Sequence, residues 1–545
     1  MIAAWALRAG IIEGDANMLT RRSLLAASGA MALSGQAMAQ PQADLRIGLA
    51  FEPSSFDPHF HNTTPNKSLA RSVFEPLVFQ DERQSVGPGL ATGWKLIDPL
   101  TWEFALRPGV RWHDGAVFTA DDVVFTFERA PAVPRSPSSF AGFIAGKTVE
   151  KINDVTIRVR TPEPYPQMPI DLSTFGIVPA STRGATSEDY NTGKAAIGTG
   201  PFRFGEFVRG DRTLLLRNEQ YWGGMPVWSR VLLRILRSDP TRVASLLAGD
   251  VDLIETVPTA DLARLRGDAR FTVTSTISNR VIYLAMDQFR DDSPFIKGPA
   301  GETIRNPLKD VRVRRALSHA INRQALVDRV MEGDARPASQ FLDESFFGAS
   351  RKLGIPAYDV GLARRLLAEA GLPNGFRLKI HGPQGRYAND TKLIEAIAQM
   401  FTRAGIQTEI ETLPPAIFFT RGSTGGPGNS PEFSMIMAGW GSAAGEMSDP
   451  LRNLAATFDA TAGRGSSNRG RYTSAPVDSA INAALATIDD DARSRALAGA
   501  MEQVANDMGI IPVLYPLNTW AARRGLAISA RSDEYTLPFH VNRQS

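Results

Sequence analysis

Alternation of apolar and polar residues with a period of two predicts several strands along this chain. Asp44 to Leu49 and Thr101 to Leu106 both alternate in this way, which is typical of strands with one buried face. Between Val149 and Val159 the alternation is interrupted at Asn153-Asp154, a pair that favours a tight turn. This third stretch therefore predicts a β-hairpin.

Apolar residues recur at helical spacing in other stretches, each bounded by a residue that favours a helix end. Thr119 and Asp310 are both suitable N-caps, and the residues after Asp310 place their apolar side chains on one helical face. Asp359 to Ala370 forms a further predicted helix, which Gly371 would end in a left-handed conformation.

One local unit predicts how strands are connected. Val231 to Leu236 is a predicted strand, Thr241 to Ala248 a short helix that stops at Gly249, and Val251 to Ile254 the next strand. A strand, helix and strand at this spacing imply a parallel crossover. The chain is therefore expected to contain an α/β lobe.

Composition narrows the class of protein that these elements can build. The chain has 545 residues, which at about 150 residues per domain corresponds to about three domains. The complete lack of cysteine excludes disulfides, thiolate metal sites, a cysteine nucleophile and lipid attachment through cysteine. The 60 Lys and Arg residues nearly balance the 57 Asp and Glu residues and form no dense run, so no nucleic-acid partner is indicated.

Residues 1–39 resemble an export signal of the twin-arginine type. Arg21 and Arg22 precede an apolar stretch interrupted by Gly and Ser, and Ala37-Met38-Ala39 supplies the small residues that signal peptidase requires. A membrane anchor is the alternative, but the stretch is too short for the roughly 20 residues that span a bilayer. A signal of ordinary length would begin at Met18, so the true start is expected there. We therefore expect a soluble periplasmic protein that is not a lipoprotein.

Motifs for catalysis or metal binding are weak. Ala141 to Thr148 matches a loose nucleotide-binding loop, but strand-like residues follow it where such a loop needs a helix N-terminus to bind phosphate. His59 and His61 lack a visible third ligand, so a surface pair is favoured over a metal site. No Gly-x-Ser-x-Gly elbow supports a serine hydrolase. We therefore expect no enzyme activity, no catalytic residue, no metal and no cofactor.

A series of motifs in a fixed order extends over nearly the whole chain. The most specific is Thr101 to Arg129, which includes Arg-Trp-His-Asp-Gly and Ala-Asp-Asp-Val-Val-Phe. The others are, in chain order, Ser55-Phe56-Asp57-Pro58-His59, Val73 to Val78, Gly198 to Phe202, Arg217 to Trp222, Asp310 to Arg323, Gly439-Trp440 and Ile510 to Tyr515. With these motifs the chain resembles the family 5 extracellular solute-binding proteins of ABC transporters, the dipeptide, oligopeptide and nickel type, over about residues 44–520.

The resemblance implies an α/β fold of the two-lobed periplasmic-binding-protein type, with an additional domain inserted in the first lobe. Lobe I would comprise residues 44–76, 198–284 and 508–545, the inserted domain residues 77–197, and lobe II residues 285–507. The chain would cross between the lobes near residues 284 and 507, which are the candidate hinges. Closure around a ligand would convert occupancy into a change of shape.

The expected ligand site departs from the pattern of the peptide-binding members. In those proteins a Trp of the second lobe is followed three residues later by an Asp that pairs with the amino group of the peptide. Trp440 matches the Trp, but Ala443 occupies the position of the Asp. Because a buried ammonium without a partner is costly, either Glu446 supplies the carboxylate or the ligand is not an ordinary α-amino peptide. Trp440 would provide a flat apolar or cation–π surface.

Further candidate ligand-binding residues flank this motif and the first strand. Ser442 is adjacent to Ala443 in the sequence. Phe51, Phe56 and His59 belong to the loop after the first strand, which in such proteins borders the cleft, although packing in the core is the alternative. Arg280 precedes a strand and is expected either to meet a ligand carboxylate or to remain a solvated hinge charge.

We therefore expect the periplasmic substrate-binding component of an ABC importer. It would capture a small polar organic solute, peptide-like or derived from an amino acid, and deliver it to the permease subunits and their ATPases. A monomer without a nucleic-acid partner is expected. The alternatives are a periplasmic hydrolase exported by the twin-arginine route and a chemosensory binding receptor.

Overall fold

A computed structural model describes residues 44–544, so the predicted export signal lies outside the described residues. The strands, numbered in chain order, are β1 (Asp44–Leu49), β2 (Val78–Gln80), β3 (Val86–Pro88), β4 (Ala91–Asp98), β5 (Thr101–Leu106), β6 (Thr148–Asn153), β7 (Thr156–Arg160), β8 (Phe202–Val208), β9 (Arg212–Arg217), β10 (Arg230–Ile235), β11 (Leu253–Ile254), β12 (Phe271–Ile277), β13 (Arg280–Met286), β14 (Ile296–Lys297), β15 (Ala335–Pro337), β16 (Arg377–Pro383), β17 (Gln407–Leu413), β18 (Met435–Gly441), β19 (Ile510–Arg523), β20 (Leu526–Ile528) and β21 (Val541–Arg543).

The sequence predicts the ends of several helices. All α-helices of the described residues are numbered in chain order. They are α1 (Thr64–Ala70), α2 (Ala120–Arg129), α3 (Ala141–Ile144), α4 (Met168–Asp171), α5 (Ser187–Asn191), α6 (Asp239–Ala248), α7 (Thr259–Gly267), α8 (Val311–Ala320), α9 (Arg323–Arg329), α10 (Val360–Glu369), α11 (Asp390–Arg403), α12 (Pro415–Thr424), α13 (Ser448–Pro450), α14 (Ala475–Ala486) and α15 (Asp490–Asn506). Thr119 forms a capping box before α2, and the Asp310 carboxylate accepts from the amide of Arg312 at the start of α8. None of these helices combines the length and apolar character needed to cross a membrane.

A mixed sheet of 13 strands organises most of the described chain. Its main path runs β14-β16-β18-β13-β19-β11-β1-β10-β9-β8, and β12, β15 and β17 pair with members of this path. The long strand β19 belongs to both halves of the sheet. Its last residues pair with β11 and β12, whereas its first residues pair with β13 and β15. We call these two parts the first and the second half of the sheet.

The first half contains the predicted crossover. β10 leads into α6, α6 ends at Gly249 with a φ of 80°, and β11 follows. β10 and β11 both pair in parallel with β1, one on each side of it. The left-handed glycine allows the helix to stop and the chain to return to the sheet, which confirms the predicted parallel arrangement.

Within residues 44–544, two chain segments pass from one half of the sheet to the other. Ser278-Asn279 separates β12 from β13, and β19 changes partners between Leu514 and Leu517. Of the positions where crossings are expected, Leu284 lies inside β13 and residue 507 directly follows α15. The limits of the lobes and of the inserted domain stay a prediction.

A separate antiparallel sheet of four strands, in the order β4-β5-β7-β6, lies between residues 91 and 160. Helix α2 packs on it, so that Val123 and Phe127 share a core with Phe104 and Val159. Strand β6 begins at Thr148, the last residue of the Ala141–Thr148 motif, which confirms the predicted strand where a nucleotide-binding loop needs a helix N-terminus.

Candidate functional site

A cavity of about 1860 Å³ lies where the two halves of the large sheet meet. Its walls come from the loop after β1, from the strand crossings at Asn279–Ile282 and Pro516–Trp520, and from residues 439–464 after β18. Several residues between 139 and 174 form a further wall. The volume exceeds the roughly 300–1,000 Å³ of a site for a drug-sized molecule, so the cavity has room for a solute of that size or larger.

Trp440 lies in the cavity wall near the end of β18. Because side chains alternate along a strand, Trp440 continues the face of Ile436 and Ala438 and packs on the second core of the second half. A Cβ at Gly439 would lie 2.8 Å from the Tyr387 ring, so glycine lets that ring pack against the strand. Trp440 therefore lies in the cavity wall, and its contact with a ligand stays a prediction.

Asp449 is the carboxylate beside Trp440, and the sequence did not suggest it. Its Oδ2 atom accepts from the Trp440 indole at 3.1 Å and from the Ala443 amide at 3.2 Å. Its Oδ1 atom accepts from the Asn453 amide group at 2.9 Å. Burial raises the pKa of Asp449 to about 6, and the hydrogen bonds from Trp440 and Ala443 oppose that rise. The cavity wall thus holds a carboxyl group that ionises slightly below neutral pH.

Glu446 does not line the cavity, which corrects its assignment as the replacement acid. Its side chain is buried, and both carboxylate oxygens accept from Nη1 of Arg493, at 2.8 and 2.7 Å. The Ser448 hydroxyl donates to the same carboxylate. With its acceptors occupied by residues of the core, Glu446 stabilises the turn after β18 and is not available to a ligand.

Ser442 and Ala443 line the cavity, but their polar groups serve the turn itself. The Ser442 hydroxyl donates to the carbonyl of Glu446 at 3.1 Å, and the Ser442 carbonyl accepts from the Asn279 side chain at 2.7 Å. The Ala443 amide is occupied by Asp449. Ala443 therefore contributes its methyl group and leaves room for the Asp449 carboxylate.

The loop after β1 contributes only one of its three candidates to the cavity. Phe51 lines the wall with 45% of its surface exposed. Phe56 is instead buried in the core, with its ring centroid 4.9 Å from that of Phe204. Phe56 therefore packs in the core, which is the stated alternative to a place beside the ligand, because its side chain points away from the cavity.

His59 is fully buried away from the cavity, so its assignment to the ligand site is also corrected. Its Nε2 lies 2.8 Å from the Gly176 carbonyl, and its Nδ1 lies 2.8 Å from the Arg129 guanidinium. Burial and the nearby Arg129 charge lower the pKa of His59 to about 4. It is therefore a neutral core residue that donates from Nε2, and not half of a surface pair.

Arg280 lines the cavity but already has a carboxylate partner. Its Nε and Nη2 atoms donate to the two oxygens of Glu534 at 2.8 and 3.1 Å. Both side chains lie in the wall, with 12% and 27% of their surfaces exposed. A ligand carboxylate would have to share Arg280 with Glu534, so Arg280 alone is a weak anion site.

Ser54 and His61 also line the cavity and bring a hydroxyl near an imidazole. The Ser54 oxygen lies 2.9 Å from Nδ1 of His61. A nucleophile and base of this kind need a third group that orients the imidazole. Between residues 44 and 544 no carboxylate forms a hydrogen bond or ion pair with His61, so the pair lacks that element of a catalytic triad.

The chain matches known proteins over most of its length. Residues 85–462 match the family model described as bacterial extracellular solute-binding proteins, family 5 middle. The chain is 27% identical over 492 residues to heme-binding protein A of Haemophilus influenzae, covering 85% of each. It is 26% identical over 471 residues to the dipeptide-binding protein of Escherichia coli, covering 81% of this chain and 83% of that one.

A solved structure establishes the fold. The ABC transporter-associated periplasmic binding protein DppA from Helicobacter pylori, in complex with the peptide STSA, superimposes with a TM-score of 0.72 at 20% identity. The match covers 92% of this chain and 98% of that chain. The predicted two-lobed α/β fold of periplasmic binding proteins is therefore confirmed.

Proposed function

The chain belongs to the bacterial extracellular solute-binding proteins of family 5, and from this premise we propose that it is the substrate-binding component of an ABC importer. It holds a small polar organic solute between its two lobes and delivers it to permease subunits and their ATPases. The observation that carries this proposal is the cavity at the meeting of the two sheet halves, in which Trp440 and Asp449 share one wall.

The solute carries an amino group or another cation, as a peptide or an amino-acid derivative does. Asp449 supports this because its ionised carboxylate in a partly dehydrated wall needs an opposite charge. In the peptide-binding members that this chain resembles, an Asp occupies the position of Ala443. The hydrogen bond that Asp449 accepts from the Ala443 amide brings the Asp449 carboxylate next to that position. A relative named for dipeptide binding and a similar fold solved with a peptide are consistent with such a solute.

Residues 1–39 direct the protein to the periplasm by the twin-arginine route, where it acts as a monomer without a lipid anchor. The paired Arg21 and Arg22 and the lack of cysteine support this part of the proposal. Mass spectrometry of the exported protein should give an N-terminus at Gln40. Replacing both arginines by lysine should retain the precursor in the cytoplasm, and unchanged export would contradict this route.

Thermal unfolding of the purified protein against a panel of solutes tests the binding function. The panel contains dipeptides, tripeptides, opines, sugars, heme and nickel–histidine complexes. A ligand at 100 times its dissociation constant stabilises the folded state by about 2.7 kcal/mol, which is readily measured. Stabilisation by peptides and not by sugars supports the proposal. Turnover of a bound compound by the protein alone would favour the hydrolase, and a complete lack of stabilisation would contradict binding of these solutes.

A further inference from the structure

Amide side chains connect the two halves of the molecule at the rim of the cavity. One of them, Gln84, belongs to residues 80–85 between β2 and β3, which we call the hairpin tip. Its Nε2 atom donates to the carbonyls of Ser442 and Ala443 at 3.3 and 3.4 Å. Its Oε1 atom accepts at 2.9 Å from Asn279, which lies at the strand crossing. A single amide group thus binds both the crossing and the turn after β18.

The hairpin tip and the turn after β18 are fixed to different halves. Arg531 donates to the carbonyl of Asp81 in the tip at 2.9 Å. Five residues later in the same segment, the Thr536 hydroxyl donates to Glu255, which directly follows β11 of the first half. The turn after β18 is instead fixed to the second half by its buried ion pair with α15. A movement that separates the halves therefore breaks the bonds from Gln84 to the turn.

Another amide connects the start of α7 to the start of α11. The Asn389 Nδ2 atom donates to the Thr259 hydroxyl at 2.9 Å and to the Val330 carbonyl at 2.8 Å. Because α7 shares a core with β11, and α11 shares one with β16, the bond from Asn389 to Thr259 crosses between the halves. Neither residue is among the described residues of the cavity wall, so this contact is separate from the solute site.

Both amides belong to residues with a left-handed backbone. The φ angle is 64° at Gln84 and 54° at Asn389, a conformation that is uncommon for residues other than glycine. Gln84 is also buried against Gly445, where a Cβ would lie 2.4 Å from the Cβ of Gln84. Such backbone conformations persist where the surroundings enforce them, and they cluster at clamps and switch regions. The backbone at both contacts is therefore shaped to bring an amide to the opposite half.

We propose that Gln84 and Asn389 form a clasp that stabilises the closed form, in which these bonds are made, and so sets the closed fraction of the protein before a solute binds. The inference rests on the proposed function, because the solute is held between the closed halves. Both contacts consist of the protein's own groups, so the clasp stabilises the closed form equally for every solute. The measured dissociation constant is the intrinsic constant divided by the binding-competent fraction. The clasp therefore changes the affinity for all solutes by one common factor.

Distances between two spin labels, measured without any solute, test the clasp directly. The chain contains no cysteine, so cysteines introduced at the exposed Ala263 of α7 and Glu395 of α11 are the only labelling sites. Gln84→Gly and Asn389→Gly each remove an amide where glycine suits the left-handed backbone, so both variants should fold. Each should lower the ratio of closed to open populations about three- to tenfold, as expected for the loss of a hydrogen bond. The matched control is Asn429→Gly, at an exposed residue with a φ of 56°, which should leave the ratio unchanged.

Calorimetry with tri-alanine and tri-lysine tests the effect on affinity. Both variants should raise the two dissociation constants by the same factor, within twofold. Because Gln84 lines the cavity, a change confined to one peptide in Gln84→Gly would indicate direct contact with the solute and overturn its place in the clasp. Unchanged label distances in both variants, or a wild type that is entirely open, would overturn the clasp and leave the proposed function intact. Shifted distances in a protein that bound no solute would support the clasp and contradict the proposed function.

Discussion

Replacing Asp449 by Asn should strengthen the unliganded fold and weaken ligand binding. The pKa of Asp449 is about 6 in the folded protein and about 3.8 in an ordinary environment, because burial disfavours the charge. Between pH 4 and 6 the folded state therefore holds a proton that the unfolded state has released, so stability falls as the pH rises through this range. Above pH 6 the ionised Asp449 lowers the free energy of unfolding by up to about 3 kcal/mol.

Asp449→Asn should raise the free energy of unfolding at pH 7 by less than this limit, by about 1–2 kcal/mol. Part of the Asp449 side chain is exposed, and Asn keeps one acceptor oxygen for the three donors of Trp440, Ala443 and Asn453. Binding of a cationic peptide should weaken by about 2 kcal/mol, since a hydrogen bond to a charged group contributes about 1.5–3 kcal/mol. This corresponds to a dissociation constant about 30-fold higher.

Urea unfolding at pH 7 and pH 4.5 measures the stability, and calorimetry with a bound peptide measures the affinity. Asp57→Asn is the control, because Asp57 is buried and accepts from Arg129 at 2.9 and 2.7 Å. Its pKa is held below the ordinary value, as Arg129 outweighs the effect of burial, so this variant should lose stability at pH 7 and keep its affinity. A less stable Asp449→Asn with unchanged peptide affinity would refute the reasoning.

Three further predictions separate ligand contacts from the core. Trp440→Ala should raise the dissociation constant of a bound peptide about tenfold, since an aromatic contact contributes about 0.5–1.5 kcal/mol beyond its area, and normal binding would exclude Trp440 from the site. Glu446→Gln should lower the free energy of unfolding by up to about 3–5 kcal/mol, because the buried Arg493 keeps only the exposed Asp490 as a carboxylate partner, while calorimetry shows unchanged affinity. His59→Gln should reduce the loss of stability on acidification from pH 6.5 to 4 in urea titrations. The reason is that the pKa of His59 is about 4 when folded, so only the unfolded state gains a proton in this range, and an unchanged pH profile would contradict it.

Elements whose ends depend on one local residue could be predicted from the sequence. Gly249 ends α6, Asp310 caps α8, and Asp359 caps α10 by accepting from the Leu362 amide. Each interaction spans at most a few residues, so the order of residue types contains the necessary information. The crossings of β12, β13 and β19 depend instead on pairing between segments more than 200 residues apart, for which a single sequence holds no comparable signal.

The residues of the candidate site also differ in whether local sequence or distant contacts determine their positions. The place of Trp440 in the cavity wall could be predicted because it follows from β18 and from the matching motif, whereas its contact with a ligand stays a prediction. Glu446 was misassigned because its partner, Arg493, comes from α15, 47 residues later. Asp449 was missed because an Asp before Pro at the start of a helix is typical of an N-terminal turn, and only the return of that turn to β18 brings the carboxylate to Trp440.

The charge of Asp449 makes the empty cavity selective before any ligand is bound. At neutral pH its ionisation destabilises the unliganded fold, and a bound cation offsets this effect by giving the carboxylate a partner. A solute without a cation would remove water from the same carboxylate and offer no opposite charge, so its binding is opposed. Stabilisation by a cationic peptide should therefore be larger at pH 7 than at pH 5, where Asp449 is largely protonated. A neutral solute of equal size should show the reverse order, because it pairs better with the uncharged acid.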